Sequence, residues 1–248
     1  MKAWWGLARS LFIYWRPGRQ GALRRWYAPL VAPGDLVFDV GAHLGDRTAA
    51  FSALGARVVA VEPNPSLVPW LRRLVGHRSG VVIVPCAAGP SVGSASLAVS
   101  PANPTVSTLD RGWTERIPRT NPGFRGVRWD EEVEVPVTTL DALIRQYGEP
   151  RFCKVDVEGF EDRVLAGLSR PLEALSVEFV AGSLDVAKAC VGRLASLGSY
   201  EFNAAAGETR RFIFPDWRSA DELVRWFDGG AGSVSSGDLY ARRIQDAA

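Results

Sequence analysis

From Asp35 onward, short β-branched apolar runs alternate with segments of helical periodicity, the pattern of βαβ units on a mostly parallel sheet. Leu36-Val37-Phe38-Asp39-Val40 reads as a first strand, Asp46 to Leu54 as a helix ended by Gly55, and Arg57 to Glu62 as a second strand. Pro63 and Pro65 stop that strand and suit the opening of a helix through about Val75, since proline is tolerated in a first helical turn. Val81 to Val84 is a third strand, Phe152 to Val157 a fourth with a helix behind it to about Leu168, and Leu175 to Val180 a fifth. Leu184 to Leu197 has one apolar face and predicts a helix. The remainder holds Tyr200 to Asn203, Arg211 to Phe214, a short helix from Asp221 to Phe227, a Gly/Ser loop and Leu239-Tyr240-Ala241.

The regular alternation is interrupted before the fourth strand. Thr139-Leu140-Asp141 starts a helix that ends near Gly148, but about 90–137 is rich in Ser, Pro, Asn and Gly, with alternating segments at Ser94–Val99 and Glu132–Val137. A connection of this length in a compact domain is usually functional or disordered. It reads as strands flanking an excursion over the active face.

Composition supports one soluble globular core: 248 residues, 47% hydrophobic and 23% charged. Twenty-nine basic against 27 acidic residues exclude a strongly basic nucleic-acid coat. The sum hides an asymmetry. Residues 1–34 hold Lys2, Arg9, Arg16, Arg19, Arg24 and Arg25 and no acid, so the rest carries 23 − 27 = −4, and four of the nine tryptophans sit in that same stretch. The expected organisation is a basic aromatic segment over 1–34 and an α/β domain over 35–248. Cys86, Cys153 and Cys190 are far apart in apolar context, as buried free thiols of a reducing cytoplasm would be. Arg9 breaks the only N-terminal apolar run, and no stretch reaches the length of a membrane span.

The chemistry concentrates at the first βα turn, Asp39-Val40-Gly41-Ala42-His43-Leu44-Gly45-Asp46. Glycines at the exit of a buried strand let the backbone turn tightly and a ligand approach closely, at the crevice where doubly wound sheets bind ligands. The spacing is G-x-x-x-G, not the dinucleotide G-x-G-x-x-G, which disfavours a pyrophosphate. Glu62 follows Gly41 by 21 residues, at the end of the second strand, where a carboxylate accepts ribose hydroxyls. These features imply an adenosine-type ligand; the alternative is a strand-turn-helix corner and nothing more.

The run Phe38 to Thr48, Val59 to Asn64, Thr139-Leu140-Asp141 and, above all, Lys154-Val155-Asp156-Val157-Glu158-Gly159-Phe160-Glu161 closely resemble the FkbM-type methyltransferases. The resemblance runs from about Arg16 to Asp238–Arg242. It implies a three-layer, Rossmann-like class I methyltransferase fold: a mostly parallel seven-stranded sheet with an antiparallel last strand, an N-terminal helical cap and a long insertion before the fourth strand. It implies S-adenosyl-L-methionine as methyl donor and, in many members, a hydroxyl acceptor such as a sugar, glycolipid or other secondary metabolite. By position, Asp39 and the Gly41–Gly45 backbone, His43 included, hold the methionine end, Glu62 the ribose, and Cys86 and Ala87 the adenine, with Asp156 beside the donor.

A hydroxyl nucleophile must lose a proton, and Asp156, Glu158 and His43 are the catalytic candidates, with Glu178 a fourth carboxylate. Each has a structural alternative. Asp156 pairs with Lys154 at i−2, Glu158 and Glu161 sit at a helix start where carboxylates are favoured, and His43 shapes its loop. Asp156 and Glu178 end neighbouring strands, yet two carboxylates without a third recognisable ligand leave a metal-independent reaction as the expectation. In the excursion, Asn103, Thr105, Ser107, Thr108, Trp113 and Trp129 either bind a flat hydroxylated acceptor or pack a lid.

A nucleic-acid methyltransferase is the alternative enzyme, but Asp156-Val157-Glu158-Gly159 stands where an Asn/Asp-Pro-Pro-aromatic motif would stack a flipped base. A catalytically silent ligand- or membrane-binding protein on the same fold is the other. The expected partners are a small-molecule, glycan or glycolipid acceptor and no nucleic acid; the oligomeric state is open. Residues 1–34 read as a cap over the donor cleft, with 1–15 the part that contacts a membrane or partner. The expected location is cytoplasmic, peripheral to the inner membrane surface if that contact forms.

Overall fold

The structure, a computed structural model, describes residues 2–244. Met1 and 245–248, the outer ends of the two expected segments, lie outside the described residues. Strands β1 (Leu36–Val40), β2 (Arg57–Val61), β3 (Val81–Val84), β7 (Phe152–Val155), β8 (Ala174–Val180), β9 (Tyr200–Ala206) and β10 (Ser236–Arg243) form one seven-stranded sheet. Their order is β3-β2-β1-β7-β8-β10-β9, with β10 antiparallel to both neighbours. The remaining neighbour pairs, β3 to β2, β2 to β1, β1 to β7 and β7 to β8, are parallel. This is the class I arrangement that the resemblance implies, and periodicity alone could not order it.

Helices α3 (Asp46–Ala53), α4 (Val68–Val75), α6 (Leu140–Tyr147), α7 (Glu161–Ala166), α8 (Leu184–Leu197) and α9 (Ala220–Asp228) connect the strands. Every residue of β1 and β7 is buried, as parallel strands covered on both faces must be. Chain connectivity reverses between β1 and β7: β1 leads outward to β2 and β3, and β7 to β8. The carboxyl ends of β1 and β7 therefore border the crevice where ligands bind in such sheets.

One expectation changes. The helix after Pro63 begins only at Val68, because Asn64 holds the chain in a turn: its side-chain Oδ1 accepts from the Ser66 backbone and hydroxyl, and its carbonyl from Leu67 and Val68. Arg211 to Phe214, left unassigned by the pattern, runs beside β9 as an irregular segment, with one bridge from Ala205 to Phe212 and hydrogen bonds to Asn203 and Ala204, and Pro215, which has no N–H for a ladder, follows.

The excursion folds as a second sheet in the order β4-β6-β5, built from β4 (Ala87–Ala88), β5 (Gly93–Val99) and β6 (Glu131–Thr138), and carries α5 (Arg111–Thr120). Trp113 of α5 is fully buried edge-on against Phe124 and Trp129, so it packs the lid and presents no platform to an acceptor. N-terminal helices α1 (Lys2–Tyr14) and α2 (Arg19–Tyr27) lie over this assembly. Tyr27 stacks obliquely on Phe51 and Phe152, and the buried Arg19 donates to Asp46 at 2.6 Å and Glu208 at 2.8 Å. At Gly6, α1 meets the lid so closely that a Cβ would stand 2.5 Å from the Ala102 carbonyl oxygen.

Candidate active site

Strand β1 ends in a turn that only glycine can make. Gly41 has φ 80°, and a Cβ there would lie 1.7 Å from the Asp156 carbonyl oxygen, so the first βα loop and the end of β7 are in backbone contact. The N–H groups of Gly41 and Ala42 both donate to the Val61 carbonyl. His43 adopts φ 50°, a left-handed conformation uncommon for a side-chain-bearing residue. Its backbone N–H donates to Glu62 Oε2 at 2.8 Å, and that of Asn64 donates to Glu62 Oε1 at 2.8 Å. The Glu62 carboxyl is thereby fixed in place, while its burial pushes its pKa up to about 7.

A cleft of about 420 Å³ opens beside this turn. Gly41, His43, Glu62, Cys86, Ala87 and Asp156 line it together, and Ser107, Thr108 and Leu109 close it from the lid. Asp39 and Gly45 stand behind it. Asp39 is buried and accepts from the Thr48 hydroxyl, and a Cβ on Gly45 would strike Leu71 at 2.6 Å. Both support the loop rather than the cleft wall. Burial pushes the Cys86 thiol up to about 11, which keeps it protonated.

Beyond Asp156 the site becomes strongly acidic. Lys154, fully buried, donates to Asp156 Oδ2 at 2.6 Å and lies 3.7 Å from Asp238. Burial, the largest single effect, would raise Asp156, but the Lys154 ammonium together with His43 and Arg47 holds the carboxyl well below the usual range. Glu161 Oε1 accepts from the N–H groups of Val157 and Gly159 at 3.0 and 3.1 Å and so fixes the turn into α7. Within that turn Glu158 takes φ 58°, and its Oε2 is buried with no hydrogen-bond partner. Burial, then Asp156 and Glu161, push Glu158 far above the usual carboxylate range.

His43, Asp156 and Glu158 each bring one ligand atom within 4.8 Å of the others. Burial lowers the His43 pKa, so its imidazole is neutral near pH 7. Glu178, on β8, is not in this cluster; its own buried Oε2 has no partner. The end of α1 reaches the same region, where burial and the charges of Asp46, Asp156 and Glu158 raise the Tyr14 hydroxyl pKa.

Sequence reasoning did not single out Asn64, whose side-chain amide donates to the Pro104 carbonyl and the Ser107 hydroxyl and ties the lid to the Glu62 corner of the cleft. Its one signal was its place directly after Glu62-Pro63.

Among curated proteins, a hexuronic acid methyltransferase of Haloferax volcanii is 32% identical over 148 residues, 59% of this chain and 54% of that protein. A 31-O-demethyl-FK506 methyltransferase of Streptomyces tacrolimicus is 32% identical over 157 residues, 55% and 60% respectively. The chain thus spans little more than half the length of these relatives. The crystal structure of precorrin-6y C5,15-methyltransferase from Geobacter metallireducens aligns over 90% of this chain and 88% of its own, at 12% identity and TM-score 0.48. Residues 39–218, which hold the glycine turn, Glu62 and the Lys154–Glu161 motif, match the methyltransferase FkbM domain, and the chain belongs to that family.

Proposed function

We propose that this protein transfers a methyl group from S-adenosyl-L-methionine to a hydroxyl of a sugar, glycolipid or other secondary-metabolite acceptor. The observation that carries this reading is that His43 and Asp156, two members of the His43–Asp156–Glu158 cluster at the end of β7, line the adenosine-type cleft. The donor's shape and polarity fit the residues present. The cleft is lined by apolar groups with a few convergent polar ones, and the backbone of Gly41 forms its floor where a Cβ would be excluded. Each Glu62 oxygen already accepts one backbone N–H and keeps lone-pair capacity for a ribose hydroxyl. When bound, the donor supplies a methyl on a sulfonium, already a good leaving group.

The chain's own residues therefore have three tasks. The Gly41–Gly45 loop and Glu62 orient the donor, Cys86 and Ala87 frame its base, and Ser107 and Thr108 of the lid exclude water. Alignment of this kind contributes up to about 7–11 kcal/mol. At the far end the acceptor oxygen stands against His43, Asp156 and Glu158, which offset the loss of its proton, a contribution of about 10²–10⁴-fold.

The N-terminal helix supports a peripheral membrane contact for an amphiphilic acceptor. Trp5, Arg9 and Phe12 share one face of α1, with Trp5 73% and Phe12 76% exposed, while Gly6 and Ser10 face inward. Among the described residues no helix is long and apolar enough to cross a membrane.

Incubation with isotope-labelled donor and glycan or lipid extracts tests the activity: an O-methyl product supports it, and donor binding without turnover on any extract favours a silent binder. Flotation on anionic vesicles tests the contact; equal flotation of the full chain and one starting at Arg16 would remove it.

A further inference from the structure

The His43–Asp156–Glu158 cluster joins residues from two separate loops, and both of its outer members are held in left-handed backbone conformations, His43 at φ 50° and Glu158 at φ 58°. Such conformations are strained and persist where the surrounding structure imposes them. Here the surroundings are explicit. The His43 N–H is held by Glu62, and the turn carrying Glu158 is held by the paired N–H groups that Glu161 accepts.

What these turns present is an incomplete polar site. Glu158 is 7% exposed, and its Oε2 has no donor within reach. Lys154 occupies Asp156 Oδ2, which leaves Oδ1 for another partner. The imidazole adds a neutral nitrogen. Nothing in the ordinary capping of α7 needs Glu158, since Glu161 already satisfies Val157 and Gly159. A buried carboxylate oxygen without a partner is expensive, and a hydrogen bond or a cation is what removes the cost.

We propose that His43, Asp156 and Glu158 bind one divalent cation, of the Mn²⁺ or Zn²⁺ kind, at the acceptor end of the donor cleft. One imidazole with two carboxylates is a mixed nitrogen and oxygen set that suits borderline divalent ions. Bonds of about 2.0–2.2 Å place neighbouring ligand atoms roughly 3–4 Å apart. The three ligand atoms lie within 4.8 Å of one another, close to that spacing. Three protein ligands leave further coordination positions, and two of the three, His43 and Asp156, line the cleft. A cation there faces the acceptor oxygen and lowers the charge cost of removing its proton. The Lys154 ammonium beside Asp156 opposes the added positive charge, so the site is weaker than a structural metal centre.

The role of this cation rests on the methyl-transfer reading; its existence does not. The test uses tag-free full-length protein stripped with chelator and titrated with Mn²⁺, the free ion being followed by electron paramagnetic resonance, and in parallel with Zn²⁺. The expected result is saturation at one ion per chain, weakened about tenfold or more in Glu158→Gln and in His43→Asn, since Asn tolerates the left-handed backbone. Absence of saturable binding of either ion up to millimolar concentration overturns the proposal, and so does binding that both folded variants leave unchanged. Calorimetry with S-adenosylhomocysteine on the same samples separates the two readings. If this nucleoside binds and neither ion does, the metal site falls and the donor cleft stands; if an ion binds and the nucleoside does not, the donor reading falls instead. Should one variant fail to fold, the wild-type stoichiometry and the other variant still decide.

Discussion

Truncating Glu62 tests the proposed ribose contact separately from the rest of the proposed donor site. In the Glu62→Ala protein, two ribose hydroxyls enter a closed cleft and find no acceptor, at about 1–3 kcal/mol for each group left unpaired. Even the lower bound for both together exceeds the roughly 1.4 kcal/mol that corresponds to tenfold in affinity. The dissociation constant for S-adenosylhomocysteine is therefore expected to rise at least about tenfold by isothermal calorimetry. Glu62 also holds the His43 and Asn64 N–H groups at 2.8 Å, so the variant loses stability as well. Thermal unfolding measured beside the titration separates that loss from the binding defect. Glu62→Gln keeps one acceptor oxygen but turns an amide NH₂ toward one of the two N–H groups, and it should fall between wild type and alanine. A folded Glu62→Ala protein that binds within about twofold of wild type would refute the ribose assignment.

The other predictions concern the scaffold around the site. Lys154→Met leaves the Asp156 carboxylate buried beside no cation and should cost about 3–5 kcal/mol in urea unfolding; a loss under about 1 kcal/mol would mean that Asp156 is neutralised or solvated without the ammonium. Glu208 is held at about 2 by Arg47, Arg19 and Arg210 against the opposing effect of burial. A carboxyl lowered in the fold contributes stability above its unfolded value, near 4.5, and loses it as pH falls toward about 2. Its side chain is 44% exposed, so solvent screening limits the contribution to about 1 kcal/mol. Glu208→Gln should thus lower the melting temperature at pH 7 and approach wild type near pH 2; a pH-independent difference would contradict the ion-pair account.

The features legible in the sequence were those set by short-range spacing. Gly41, Glu62 and the Lys154–Glu161 motif announce themselves because each sits at a strand terminus, where burial and turn geometry restrict the residue types. The Lys154–Asp156 pair followed from two positions sharing a strand face, and it is observed at 2.6 Å. Asp39 was legible as a member of the motif but not as a residue behind the loop, since its bond to Thr48 depends on how α3 returns over β1. Trp113 carried no mark to distinguish a sugar platform from a packed core, because its burial is decided by Phe124 and Trp129 far along the excursion. The convergence of His43 with Glu158 was likewise invisible. Each was named separately, and only the contact of the two loops at Gly41 and Asp156 brings their side chains together.

The most direct test of methyl transfer to a hydroxyl is mass spectrometry of acceptor extracts after incubation with donor carrying a deuterated methyl group. The account predicts the labelled methyl in an ether linkage on a hydroxylated sugar, lipid-linked glycan or secondary metabolite, and its loss in Glu62→Ala. Donor consumption that labels nitrogen or nucleic acid, or donor binding with no labelled product in any extract, would contradict it.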